Sequence, residues 1–339
     1  MPADNRPVRV GIYGTGRFAN QTHLPNLSKL DSVELVAASD PNPDNLAATA
    51  QKYSIVRTYA DPHQMLAEEQ LDALYSIVPA FARTDVEATA AAQGIHLFSE
   101  KPQATTMAVA RRIADAVAEG DAISTVCFRE RYRPLFQEAR RLLEDKAITH
   151  IRFQSTSGLP LLEAEVSDPD SWHYQMDKAG GSAFDWGVHA VDYSRFMSGL
   201  DITQAQAFYH HPPRYNTPLS CSFNFLLANG ATMTSTFLAT TPAAPGDEPR
   251  FTVFYEGGYL ALWMYDRIEV NGEVVYAPEE FDPWFEQDRV FIEAVRTGNR
   301  ALLLNDYADG LYSLAPVLAG WESARRGGKL ISVAEFMAS

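Results

Sequence analysis

Residues 8–13, Val-Arg-Val-Gly-Ile-Tyr, make an apolar run short enough to be a buried strand, and Gly14-Thr15-Gly16-Arg17-Phe18-Ala19 follows it directly. A strand that ends on Gly-x-Gly and turns into a helix constrains the fold strongly, because each small residue has its own steric task. Gly14 permits the tight turn and Gly16 lets the backbone approach a ligand. Ala19, where a third glycine often stands, keeps the helix close to the sheet. The first N–H groups of such a helix suit a pyrophosphate. A second apolar run, 33–38, ends at Ser39-Asp40, about twenty positions past the fingerprint, where a carboxylate can accept ribose hydroxyls. The pattern therefore predicts a dinucleotide site with Gly14, Thr15, Gly16, Arg17 and Phe18 at the phosphates and Asp40 at the ribose. Asp40 also opens Asp40-Pro41-Asn42-Pro43, which makes a turn with or without a ligand. Its charge would repel a 2′-phosphate, and no Lys or Arg follows it before Lys52, so NAD is expected over NADP.

From residue 8 to about 127, strand-like runs at 8–13, 33–39, 73–78, 95–99 and 123–128 alternate with helical ones near 17–29, 43–53, 61–69, 82–93 and 105–119. That alternation predicts an α/β Rossmann domain, a doubly wound parallel sheet covered on both faces. After an amphipathic helix at 133–145 the texture changes to period-two strands at 150–157, 204–210, 219–227, 232–239, 251–255 and 259–263. These predict an α+β domain with a large, mostly antiparallel open sheet. Residues 242–249 read as a proline-rich loop, and 284–297 and 306–325 as helices, the second stopped by Arg325-Arg326-Gly327-Gly328. The expected division is 1–128 for the cofactor domain and 129–339 for a substrate-binding and oligomerisation domain, with the last helix free to pack back on the first.

A formal charge of −15 without a basic stripe argues against nucleic-acid or anionic-membrane partners. No apolar leader or span-length run is present, so a cytoplasmic location is expected. Cys127 and Cys221 read as core thiols, and His210-His211, ahead of Pro212-Pro213, as an exposed turn.

At the end of the fifth strand stands Ser99-Glu100-Lys101-Pro102, which puts an ammonium group at the carboxyl edge of the sheet, where open parallel sheets bind ligands. There Lys101 can touch a cofactor ribose and a substrate hydroxyl, and its charge favours a developing alkoxide; the alternative is a surface lysine before a helix-starting proline. In the second half, Gly180-Gly181 precedes Asp185-Trp186-Gly187-Val188-His189. Four apart on one helix, Asp185 and His189 share a face. The spacing suits an imidazole that exchanges a proton beside an orienting or substrate-binding carboxylate, and equally a capping or metal-ligand pair. No third ligand lies nearby in sequence, so no metal is expected. Trp172, His173 and Tyr174 suit a sugar pocket or domain packing, and Arg129 and Arg131 suit a substrate or solvent.

The set Gly14-Thr15-Gly16-Arg17-Phe18-Ala19, Glu100-Lys101-Pro102 and Gly180-Gly181 with Asp185, Gly187 and His189 resembles the Gfo/Idh/MocA family (glucose-fructose oxidoreductase, inositol dehydrogenase, rhizopine catabolism) over nearly the whole chain. The resemblance implies an NAD-dependent oxidoreductase, a homodimer or homotetramer through the C-terminal sheet, that moves a hydride at a hydroxyl or carbonyl carbon of a sugar, cyclic polyol or related carbohydrate. It further implies that Lys101 sits beside the nicotinamide and binds the reacting hydroxyl, that Asp185 holds substrate, and that His189 is the acid/base. Pro79 and Glu100 join the cofactor-binding set, and the Lys101–Pro102 bond is expected to be cis. One position departs from the family: Arg83 stands where a histidine is usual, four residues after Pro79, and would meet a cofactor phosphate, an acidic substrate group or solvent. A glycosidase that retains NAD and acts by transient oxidation and elimination is a second reading. A non-catalytic cofactor-binding sensor is a third, and the retention of Lys101, Asp185 and His189 together argues against it.

Overall fold

The structure, a computed structural model, describes residues 6–162, 175–179, 181–241 and 248–339. The chain forms two compact units, Met1–Tyr132 with Asp282–Leu311 and Arg133–Phe281 with Tyr312–Ser339. Beside the division expected at 128 with a last helix free to pack back, the segment grouped with the first unit is Asp282–Leu311. No helix among the described residues is long and apolar enough to cross a membrane.

The first unit carries six parallel strands: β1 (Val8–Tyr13), β2 (Val33–Ser39), β3 (Arg57–Tyr59), β4 (Ala73–Ser76), β5 (His96–Ser99) and β6 (Ser124–Val126), in the order β3-β2-β1-β4-β5-β6. Strand order reverses between β1 and β4, which opens a crevice at the carboxyl ends of the strands. β3 escaped the sequence reading because it has only three residues, two of them exposed. The helix expected over 17–29 is two short ones, Arg17–Gln21 and His23–Leu27, separated at Thr22. Pro25 explains the break, since its ring would clash with the carbonyl of Gln21 in a continuous helix and it has no N–H to offer.

The core of this unit is aromatic. Tyr75 and Phe98 stack with centroids 4.4 Å apart, and Phe291 meets both edge-on at 5.6 and 5.4 Å. Phe291 comes from the helix Pro283–Thr297, which begins at the capping Asp282 with proline in its first turn and ends at Gly298, whose φ is +67°. Its buried Phe291, Ile292 and Ala294 join the core of the Rossmann unit. Burying the Phe291 ring contributes about 1.5–3 kcal/mol.

The second unit holds β7 (Ile148–Ser157), β8 (Ile202–His210), β9 (Ser220–Leu227), β10 (Thr232–Ala239), β11 (Phe251–Tyr255), β12 (Gly258–Trp263), β13 (Arg267–Val270), β14 (Glu273–Tyr276) and β15 (Ile331–Ser332). They form one sheet in the order β14-β13-β12-β11-β7-β10-β9-β8-β15, antiparallel except for the β7/β10 pair. Cys221, Phe223, Phe225 and Leu227 of β9 are buried at every second position, as the period-two pattern predicts. The helix Pro134–Leu143 covers this sheet with Phe136, which packs 5.0 Å from Tyr193 and 6.2 Å from Phe251.

Candidate active site

Gly14 has φ +95°, and a Cβ there would fall 2.5 Å from the Ile77 carbonyl oxygen and 2.8 Å from Val78 Cγ1. Only glycine fits, because both the backbone conformation and the approach of the β4 exit forbid a side chain. At Gly16 an added Cβ would meet nothing within 4 Å, so the turn leaves open space where a pyrophosphate would lie. The Thr15 N–H and hydroxyl instead turn inward and donate to Asp40 Oδ2 at 2.7 and 3.1 Å. Asp40 Oδ1 accepts the Asn42 N–H at 2.8 Å, so Asp40 staples the glycine loop to the end of β2 and also makes its own turn. A carboxylate accepts about four hydrogen bonds, which leaves Oδ1 capacity for a ribose hydroxyl. Arg17 and Phe18 are exposed. Arg17 Nε donates to Gln21 Oε1 at 3.1 Å, and Phe18 stands edge-on to Trp284.

The carboxyl end of β5 is tied down more heavily than its sequence implies. The Lys101–Pro102 bond is cis, and Lys101 itself is half-buried. Glu100 is buried rather than turned toward a cofactor: Oε1 pairs with His23 Nε2 at 3.0 Å and Oε2 accepts the Lys101 N–H at 3.0 Å. His23 lies between Glu100 and Asp288, whose Oδ1 is 2.8 Å from Nδ1, and Asn26 Nδ2 donates to Asp288 Oδ2 at 2.9 Å. Burial alone would push the His23 imidazole down, but Asp288 and then Glu100 outweigh it and raise it to about 10. The ring is therefore an imidazolium clasped by two carboxylates. Cys127 Sγ joins this cluster, with one ligand atom each of His23, Glu100 and Cys127 within 4.8 Å of one another. Burial pushes the Cys127 thiol well above its usual range, which fits a core thiol.

Arg83 is neither at a cofactor phosphate nor in solvent; it is buried at 2 % exposure. Its Nη1 donates to Ser99 Oγ at 2.6 Å, and its Nη2 to the Glu100 and Val78 carbonyls at 2.5 and 3.2 Å. Glu87, one helical turn on, supplies the counter-charge at 3.3 Å, which is why the guanidinium can be buried at all. Pro79 precedes the short 3-10 turn Ala80–Ala82 that brings Arg83 inward. Arg131 is likewise spent, on Asp309 Oδ2 and the Leu304 carbonyl, both at 2.7 Å. Arg129 lies 4.1 Å over the Trp284 ring and pairs with Glu130 at 3.1 Å.

In the second unit the helix expected to carry both Asp185 and His189 is two helices, Ser182–Asp185 and Gly187–Ser198, with a turn at Trp186. Asp185 is exposed, whereas His189 is 2 % exposed. His189 Nδ1 is 2.8 Å from the Tyr193 hydroxyl, and the two rings stack at 5.2 Å. Tyr193 stands four residues after His189 and so shares its face, a spacing already present in the sequence. Gly187 lets this helix close on Val317, where a Cβ would sit 3.0 Å from Cγ1. Trp172, His173, Tyr174 and Gly180 lie outside the described residues.

Residues 8–128 match the family model described as an oxidoreductase family with an NAD-binding Rossmann fold, and residues 136–261 match the C-terminal domain of the same family. D-xylose 1-dehydrogenase [NADP(+)] of Haloarcula marismortui is 28% identical over 204 residues, 59% of this chain and 56% of that protein. scyllo-Inositol 2-dehydrogenase (NAD(+)) of Bacillus subtilis is 26% identical over 201 residues, 58% of this chain and 55% of that one. The chain thus aligns with little more than half the length of these curated relatives. Among solved structures, an oxidoreductase from Thermotoga maritima superimposes with a TM-score of 0.82 at 22% identity, covering 98% of this chain and all of that one. The WlbA dehydrogenase from Bordetella pertussis, in complex with NADH and UDP-GlcNAcA, does so at 0.78 and 23% identity, covering 96% of this chain and 99% of that one. Matched in both halves and in that order, with the glycine turn built as its Rossmann half requires, the chain belongs to the Gfo/Idh/MocA oxidoreductase family.

Proposed function

We propose that this protein is an NAD-dependent dehydrogenase that acts on a CH–OH carbon of a sugar, cyclic polyol or related carbohydrate. The observation that carries the reading is the glycine turn: Gly14 is sterically obligatory, the space over Gly16 is open, and Asp40 anchors the loop with acceptor capacity to spare. These residues fit a dinucleotide, with backbone at the pyrophosphate and Asp40 at the adenosine ribose. The Asp40 charge favours NAD over NADP. Bound NAD supplies the hydride acceptor. Lys101 donates to the reacting hydroxyl and stabilises the alkoxide as it forms. His189 takes the hydroxyl proton at Nε2, while Tyr193 at Nδ1 holds the ring in one orientation. Asp185, exposed at the end of its short helix, holds a substrate hydroxyl. The fit to D-xylose and inositol dehydrogenases among the relatives supports the substrate class. Incubation with NAD and a panel of aldoses, inositols and sugar acids, read as absorbance of reduced cofactor, tests the reading. Turnover with at least one member is expected. Hydrolysis of chromogenic glycosides without net NADH would favour the elimination chemistry, and cofactor binding without turnover would favour a sensor.

A further inference from the structure

The Glu100–Lys101 peptide is held on both sides by buried groups of the first unit. Its carbonyl accepts Arg83 Nη2 at 2.5 Å, and its N–H donates to Glu100 Oε2 at 3.0 Å. The same carboxylate is held at Oε1 by His23, and His23 is held in turn by Asp288. Arg83 is anchored to Ser99 Oγ at 2.6 Å, so its two shortest bonds go to the β5 exit. Its contact with Glu87 is longer, at 3.3 Å; Glu87 Oε1 accepts a 2.6 Å bond from Ser76, and Oε2 has no partner among the described residues. A guanidinium built mainly for an ion pair would face its carboxylate with two short parallel bonds. This one grips a main-chain carbonyl instead, with Glu87 balancing its charge.

We propose that Arg83 and the His23–Glu100 pair are positioning residues that fix the backbone of Lys101 at the carboxyl edge of β5. Neither touches substrate. They act through the one peptide that leads into the lysine Cα, at its carbonyl and at its N–H, and this inference rests on the role proposed above for Lys101. A misplacement of about 1 Å in a reacting group can cost on the order of 100-fold in rate, so a buried clamp at this peptide has a catalytic consequence. A divalent metal held by His23, Glu100 and Cys127 is the competing use of the same cluster. It would require both the imidazolium and the thiol to lose protons that their surroundings hold.

Two readouts on the full chain separate the inference from the activity it serves. The first is hydrogen–deuterium exchange of the Lys101 amide without cofactor, and the second is kcat against KM with the best substrate of the panel. The variants are Glu100→Gln and the double variant Arg83→Met/Glu87→Gln, which leaves no charge buried without a partner. Should the double variant fail to fold, Glu100→Gln, which keeps the side-chain shape, carries the test. Exchange at Lys101 should rise at least about tenfold, and kcat should fall about 10- to 100-fold while KM and NAD affinity stay within about twofold. Arg83→Lys keeps the charge beside Glu87 with only part of the grip, so it should melt near wild type yet lie between wild type and the double variant in kcat. Unchanged exchange in folded variants, or raised exchange with unchanged kcat, overturns the proposal. So does stoichiometric zinc in the protein as isolated. A wild type inactive on every sugar would instead sink the dehydrogenase reading, and the exchange result would still decide whether the clamp holds Lys101.

Discussion

Replacing Asp288 with asparagine removes one of the two carboxylates that clasp His23, and the effect on stability should depend on pH in a defined direction. Asp288 is fully buried and holds Nδ1 at 2.8 Å, so the wild-type ring folds as an imidazolium raised from 6.5 to about 10. A group whose pKa is raised on folding contributes stability in full below its unfolded value, and that stability is lost as pH climbs through the folded value. Between 6.5 and about 10 His23 therefore contributes stability that falls as pH rises, offset in part by the burial that pushes the Asp288 carboxyl up. Glu100 remains in Asp288→Asn and still faces the ring, so the variant loses one charged hydrogen bond of about 1.5–3 kcal/mol. Urea unfolding followed from pH 6 to 10.5 should show the variant less stable by about 2–4 kcal/mol near pH 6.5, with the gap closing to under about 1 kcal/mol above pH 10. A gap that stays constant across this range, or widens with pH, would refute the assignment of a protonated His23.

His189→Ala should lower turnover about 100- to 10,000-fold while NAD affinity measured by titration stays near wild type. Tyr193→Phe, which removes the partner of Nδ1, should cost about tenfold in kcat, the equivalent of one hydrogen bond. Gly14→Ala should abolish NAD binding in a calorimetric titration and lower the melting temperature, because the new Cβ would meet the Ile77 carbonyl at 2.5 Å. Asp40→Ser with Asn42→Arg should weaken NAD binding and admit NADP. It should also destabilise the glycine loop by about 1–2 kcal/mol, since Thr15 loses its acceptor, and a wild type that already prefers NADP would contradict the ribose assignment.

Local chemistry was legible in the sequence, and long-range pairing was not. The glycine turn, the alternation of the first half and the period-two strands up to Trp263 are written in neighbouring residues and stand where expected, whereas the short strands β3, β13, β14 and β15 do not show in the sequence pattern. Pro25 marks the break at Thr22 inside an otherwise helical pattern. The clasp on His23 joins positions 265 residues apart, so no local pattern announces that Asp288 serves His23. Arg83 shows the same limit. In sequence it is an arginine near the start of a polar helical run, and only folding brings Ser76, Ser99 and the Glu100 carbonyl around it. The helix over 284–297 was equally plain, whereas its destination on the Rossmann sheet depends on Phe291 finding Tyr75 and Phe98.

The most direct test of hydride transfer uses the best sugar of the panel carrying deuterium on the carbon that is oxidised. The protein is incubated with it and NAD, and the nicotinamide and the sugar product are read by mass spectrometry. The account predicts one deuterium in NADH for each sugar oxidised, with formation of both lost in Lys101→Ala and His189→Ala. Deuterium that returns to the sugar with no net NADH, or that washes into solvent, would contradict it.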